Sequence, residues 1–297
     1  MARSVIDLSR LPPPDAVKPL DYESLWDQIV ADVVEAVPEA APAMALKSEM
    51  MVRVGRVFAY RILLEVNARN QAVRAVMPAL AQGADLDQIG VIVGIQRLVI
   101  DAGDPSQGVP PTYEDDDAFR RRFIMAPEGF SVAGPAGAYE FHALSADGAV
   151  KDASATSPEP GHVVVTVLSR DGDGEAAPEL VEAVRSAVSV DTVRPLTDFV
   201  TVQSATVKPY AIRAKVWTFA GPDPLVVVGQ SEAAGQAFAD ANHLLGRDVN
   251  LSSLFAALTV SGVQRVELLE PTANIVCDAT EAAFCTAIEL EHGGLDE

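Results

Sequence analysis

The chain has 297 residues, 49% of them hydrophobic, which suits two or three domains with their own cores and excludes a disordered tail. Its 22 Lys and Arg against 42 Asp and Glu leave a net charge of −20, a surface that repels phosphate backbones and disfavours nucleic-acid binding. No apolar run approaches the roughly 20 residues that span a bilayer, and residues 1–15 lack the apolar core of a signal peptide, so assembly in the cytosol is expected without membrane insertion.

Residues 1–20 read as an arm. Pro12, Pro13 and Pro14 prevent a helix there, while Val5, Ile6, Leu8 and Leu11 supply apolar side chains. The arm is either a flexible leader or a segment that docks on a neighbour, and its apolar residues favour docking. Residues 21–102 read as a helical region. Asp21 is placed to cap a helix that Pro38 stops. A second helix is expected from near Ala43 to about Ala81, with Met51, Val54, Phe58, Ile62 and Val66 forming an apolar stripe three or four residues apart. At 1.5 Å per residue, roughly 38 residues exceed about 50 Å. Either that stripe meets another subunit or helix, or the segment is a bent pair packed within one domain. Gly83–Leu98 follows as a shorter amphipathic element.

The Gly- and Pro-rich stretch from Ile100 to Pro111 marks a domain boundary. Glu114, Asp115, Asp116 and Asp117 open a helix that carries Arg120, Arg121 and Arg122, and this charge run is expected to be a solvated face. Ser131 is expected to cap a helix entered near Pro135. Val150–Thr156 and His162–Leu168 read as a hairpin, with the second strand interior because it is apolar on both faces. Pro178 starts a further helix, and Phe199, Val200 and Val202 form a strand. These elements make a central α+β domain over residues 112–205. Residues 206–297 read as a second α+β domain: an alternating strand at Tyr210–Val216, a helix capped by Ser231, a short helix after Asn250 and a strand from Val263. The fold class is therefore α+β and multidomain, a helical region followed by two α+β domains.

Chemistry-bearing motifs do not emerge. Gly129-Phe130-Ser131-Val132-Ala133 lacks both the last Gly and the preceding strand of a nucleophile elbow. Asp171, Asp173 and Glu175 echo a calcium loop, but Ala176 stands where that loop needs Gly. His142, His162, His243 and His292 show no metal-ligand spacing. Cys277 and Cys285 are expected to be small buried hydrophobes in a reducing compartment. No catalytic, cofactor or metal residues are assigned.

Several segments, spread along nearly the whole chain, resemble the baseplate assembly protein J family, the wedge proteins of contractile phage tails and related injection machines. They are IDLSRLPPPDAVKPLDYES, Val73–Met77, GADLDQIG, EGFSVAGPAGAYEFHALSADGAVKDASATSPEPG, VRPLTDFVTVQSA and LGRDVNLSSLFAALTVSGVQRVELLEP. The resemblance implies a non-enzymatic structural subunit of the tail baseplate in the virion, assembled in the host cytoplasm. Its implied partners are other copies of itself, a second wedge protein similar to tail protein I, a sheath-initiating wedge protein and the central hub and spike proteins. In such baseplates the helical parts form a bundle and the C-terminal domains close a ring that rearranges on sheath contraction. Gly and Pro around residues 103–111 and 221–224 are candidate hinges. A tail-associated hydrolase of cell wall, using carboxylates such as Asp171 and Asp173, is the alternative from another class.

Overall fold

The computed structural model describes residues 11–295 apart from 13, 196 and 222. The chain forms two compact units, Met1–Gln96 and Arg97–Glu297, and its class is α+β with an N-terminal helical region.

In the first unit, helix α1 (Tyr22–Ala36) starts where the Asp21 carboxylate accepts the Ser24 amide, and it ends before Pro38. The chain then turns through a 3₁₀ segment at Pro38–Ala40 and the one-turn helix α2 (Ala41–Met44). Helix α3 spans Met50–Ala75, 26 residues and about 39 Å. The long helix expected from Ala43 to Ala81 is thus shorter at both ends, because residues 45–49 turn and Pro78 cannot continue a helical hydrogen-bond ladder. Helix α4 (Gly83–Gly90) follows as expected and closes through a left-handed Gly94. The core of this unit lies between α1 and α3, where Trp26 packs with Val52 and Ala59. A Cβ on Gly55 would sit 3.1 Å from the Trp26 ring, so the absence of a side chain there lets the indole approach the helix.

The second unit opens with a small antiparallel ribbon, β1 (Val99–Asp101) against β2 (Thr112–Tyr113). It closes the Gly- and Pro-rich stretch into a loop tied at both ends. The Arg97 guanidinium donates to Glu114 O, and the Leu98 amide donates to Glu114 Oε1. Residues 103–111 are therefore not a free hinge between separately held segments. Helix α5 (Asp116–Met125) is capped by Asp115, which accepts from Ala118 N at 2.8 Å. The acidic run divides by partner. Asp117 is solvated, Asp116 pairs with Arg97, and Glu114 is buried against Arg122. The expectation of a wholly solvated face fails at Glu114, since its cation is held at the same depth.

The central layer is a three-stranded sheet, β3 (Val150–Glu159), β4 (His162–Ser169) and β5 (Phe199–Ser204), with β4 in the middle as its apolar faces require. Helices α6 (Ala136–Leu144) and α7 (Pro178–Val188) cover one face, with Tyr139, Val165, Val167 and Val184 at its core. Pro135, not Ser131, occupies the N-cap of α6; the Ser131 hydroxyl instead accepts from Ala133 N.

The C-terminal layer follows after one residue, Ala205. Strand β6 (Thr206–Thr218) lies between β7 (Val263–Glu270) and β8 (Glu281–Leu295), pairing antiparallel with the first and parallel with the second. Helices α8 (Pro224–Asn242) and α9 (Leu251–Leu258) pack on the face made by Tyr210, Ile212 and Ala214. Asp223 caps α8 by accepting from Leu225 N, and Ser231 sits inside the helix, fully buried, donating to Leu258 O at 2.7 Å. The expected Ser231 cap is therefore a helix-to-helix clamp. Cys277 is buried and Cys285 partly so, and burial raises both thiols above the ordinary range.

Candidate assembly surface

Among the described residues, helix α3 leaves much of its apolar surface exposed. Its buried side carries Val52, Ala59 and Asn70, facing α1 and the arm. Met51, Val54, Phe58 and Ile62, four of the five residues of the expected stripe, are exposed, Phe58 by 63%. The fifth, Val66, is half-buried at the border toward the α1 side. Sequence reasoning missed a second seam made by Met50, Val57, Tyr60 and Leu64, with Met50 77% exposed. Its signal was available, because Met50, Val57 and Leu64 recur every seventh position. At 3.6 residues per turn the buried side and the two exposed seams point about 120° apart around the axis. Arg61 and Glu65 fall between the exposed seams. A helix built this way has one side packed by described parts of its own unit and apolar faces suited to two further helices.

The described part of the arm lies on its own unit. Asn70 is 4% exposed, and its side-chain amide pairs with both backbone groups of Lys18: Nδ2 donates to the carbonyl at 2.7 Å, and Oδ1 accepts from the amide at 3.0 Å. Leu11, Pro14 and Val17 line a cavity of about 620 Å³ with Gln71 and Arg74 of α3 and Asp85 of α4. The arm expected to dock on a neighbour is therefore held, over these residues, by its own helix. Val5, Ile6 and Leu8 lie outside the described residues.

The residues weighed for chemistry take structural positions. Asp171 and Asp173 are exposed in the turn after β4, where Asp173 Oδ1 accepts from Glu175 N at 3.1 Å. Among the described residues, no group of three or more His, Cys, Asp or Glu is placed to hold a metal, and no helix is long and apolar enough to cross a membrane. His142 Nε2 lies 3.3 Å from Gly129 O, and its ring meets Phe141 edge-on. His162 stacks on Phe199, and His292 contacts Thr218 Oγ1 at 3.1 Å. His243 is buried, with Nδ1 2.9 Å from Lys151 Nζ. An ammonium can only donate, so Nδ1 accepts and the ring proton sits on Nε2.

Comparison with known proteins agrees with this assembly-type geometry. The Baseplate J-like N-terminal domain matches residues 47–104, the Baseplate J-like central domain residues 131–204, and the Baseplate J-like protein C-terminal domain residues 210–291. Baseplate protein J of Escherichia phage P2 is 44% identical over 301 residues, which cover 99% of this chain and 99% of that protein. The α3 seams fall inside the first matched segment and the central sheet inside the second, while the third covers most of the C-terminal sheet, whose strands begin at Thr206 and end at Leu295. The chain belongs to the baseplate J-like family.

Proposed function

We propose that this protein is a structural wedge subunit of a contractile-tail baseplate, working by assembly and not by catalysis. It joins copies of itself and a second wedge protein similar to tail protein I, contacts a sheath-initiating wedge protein and the central hub and spike, and rearranges on sheath contraction. Assembly takes place in the host cytoplasm and the product resides in the virion tail. The working modules are the arm (1–20), the helical region (21–102), the central domain (112–205) and the C-terminal domain (206–297). The similarity to baseplate protein J of phage P2 supports the baseplate setting.

The observation that carries the reading is the doubly striped α3. Exposed apolar patches of this size on a folded subunit mark interaction surfaces. Two seams roughly 120° apart, beside a third face that is already packed, suit a bundle in which α3 touches helices of two other chains. The helix carries Arg53, Arg56, Arg61, Arg69 and Arg74 against Glu65 alone, within a chain of net charge −20. Acidic surfaces, including those of further copies of this chain, are complementary to it.

The test is co-expression of the full chain with the second wedge protein and recovery of the complex by size-exclusion chromatography. Val54→Asp with Phe58→Asp is expected to abolish the complex while the thermal transition of the free subunit stays in place. Recovery of the complex at native yield would sink the bundle assignment.

A further inference from the structure

Strand β3 reaches across to the C-terminal layer at three neighbouring positions. The Asp152 carboxylate is fully buried. Its Oδ2 accepts from Leu245 N at 3.0 Å, just beyond α8. Its Oδ1 accepts from Ala153 N at 2.8 Å and from the Arg121 guanidinium of α5. One anion thus joins α5, β3 and the α8–α9 connection. Next to it, Lys151 Nζ donates to His243 Nδ1, and two residues on, the Ser154 hydroxyl donates to Ala279 O before β8. The pairing of β3 with β4 slips between Val150 and Asp152, and this bulge breaks the strict alternation of side chains there.

The connection between the layers is closed in other ways. Ala205 alone separates β5 from β6; it is buried, and its amide donates to Val167 O at 2.8 Å. Leu168 and Ala205 pack in one apolar cluster with Leu245 and Ala282 of the C-terminal layer. Gly174 leaves space for the His243 ring, since a Cβ there would come 2.7 Å from Nε2.

We infer that the central and C-terminal layers form one rigid body, and that Asp152 is the positioning residue that fixes the angle between them. A buried carboxylate with donors on three elements tolerates little rotation, because each lost donor leaves charge unsatisfied away from water. Resting on the wedge reading above, the consequence is that a baseplate rearrangement carries both layers together and does not bend the chain at Ala205.

Hydrogen exchange of the isolated full-length chain tests this without any partner, so its outcome is separate from that of the assembly experiment. The amides to follow are Val163–Leu168 in β4 and Tyr210–Val216 in β6. In the native chain the slowest amides of both sets are expected to share a protection factor within about threefold. In Asp152→Asn, which keeps the shape and removes the charge, the two sets are expected to separate by about tenfold or more. If that variant does not fold, Asp152→Glu is read by the same criterion, since it keeps the charge facing Arg121 and moves the carboxylate off the Leu245 amide. Sets already separated in the native chain overturn the single body; sets that stay together in the variant overturn the role of Asp152.

Discussion

His142 and His243 both titrate below the ordinary histidine value, chiefly because burial disfavours the charged ring. At His243 the neighbouring Lys151 ammonium adds repulsion, which Asp173 and Asp240 partly offset. In the unfolded chain both rings take up a proton near pH 6.5, roughly their unperturbed value. As pH falls through that value, the unfolded state binds protons that the folded state excludes, so stability present at neutral pH is lost. The lowered carboxyls of Asp104, Asp278 and Glu281 act in a more acidic window, below roughly pH 4. The urea midpoint is therefore expected to fall between about pH 7.5 and about pH 5.5, and the double variant His142→Gln, His243→Gln should flatten that slope. A native midpoint equal at both values contradicts this account. The sequence carried no signal for the contact of His243 with Lys151, because the partners lie 92 positions apart.

At the scale of elements, α3 is held from one side by α1 and from its C-terminal half by the arm. Among the described residues of the arm, Lys18 is held by Asn70, which does for it what a neighbouring β-strand would do. Asn70→Ala leaves one backbone donor and one acceptor unpaired in a partly buried place, at a cost of about 1–3 kcal/mol. Hydrogen exchange at the Lys18 amide is expected to become several-fold faster in that variant, and an unchanged rate would show that Asn70 does not hold the arm. Elements with local signals were legible in the sequence. Asp21 and Asp115 cap their helices, β4 is the interior strand, and Tyr210, Ile212, Ala214 and Val216 are the buried side of β6. Elements defined by distant pairing were not. Strand β8 went unread although Ile288, Glu289, Leu290 and Glu291 alternate apolar with charged, because that run is short and Gly293 and Gly294 follow it; its full extent comes from parallel pairing with β6. The start of α8 was placed at Ser231 because Leu225-Val226-Val227-Val228 favours strand by propensity, while Asp223 and the packing of Val227 make it helix. Asp152 gave no signal at all, since a lone acid in a strand does not announce donors 31 and 93 positions away.

At the scale of the whole molecule, polar and apolar roles are divided between the two units. Residues 97–295 bury acid and base in specific pairs, as Glu114 with Arg122 and Asp152 with Arg121. In the first unit, the described residues leave the apolar seams of α3 exposed. One of those seams is legible as a stripe of three- and four-residue spacing; the other is carried by the seven-residue recurrence of Met50, Val57 and Leu64, which sequence reasoning missed. The central claim is that both seams are assembly surfaces, and the most direct measurement is an electron-microscopy map of the assembled baseplate. The account predicts Met51, Val54 and Phe58 against a helix of one neighbouring chain, and Met50, Val57 and Leu64 against a helix of another. A map in which either seam of α3 faces solvent would contradict it.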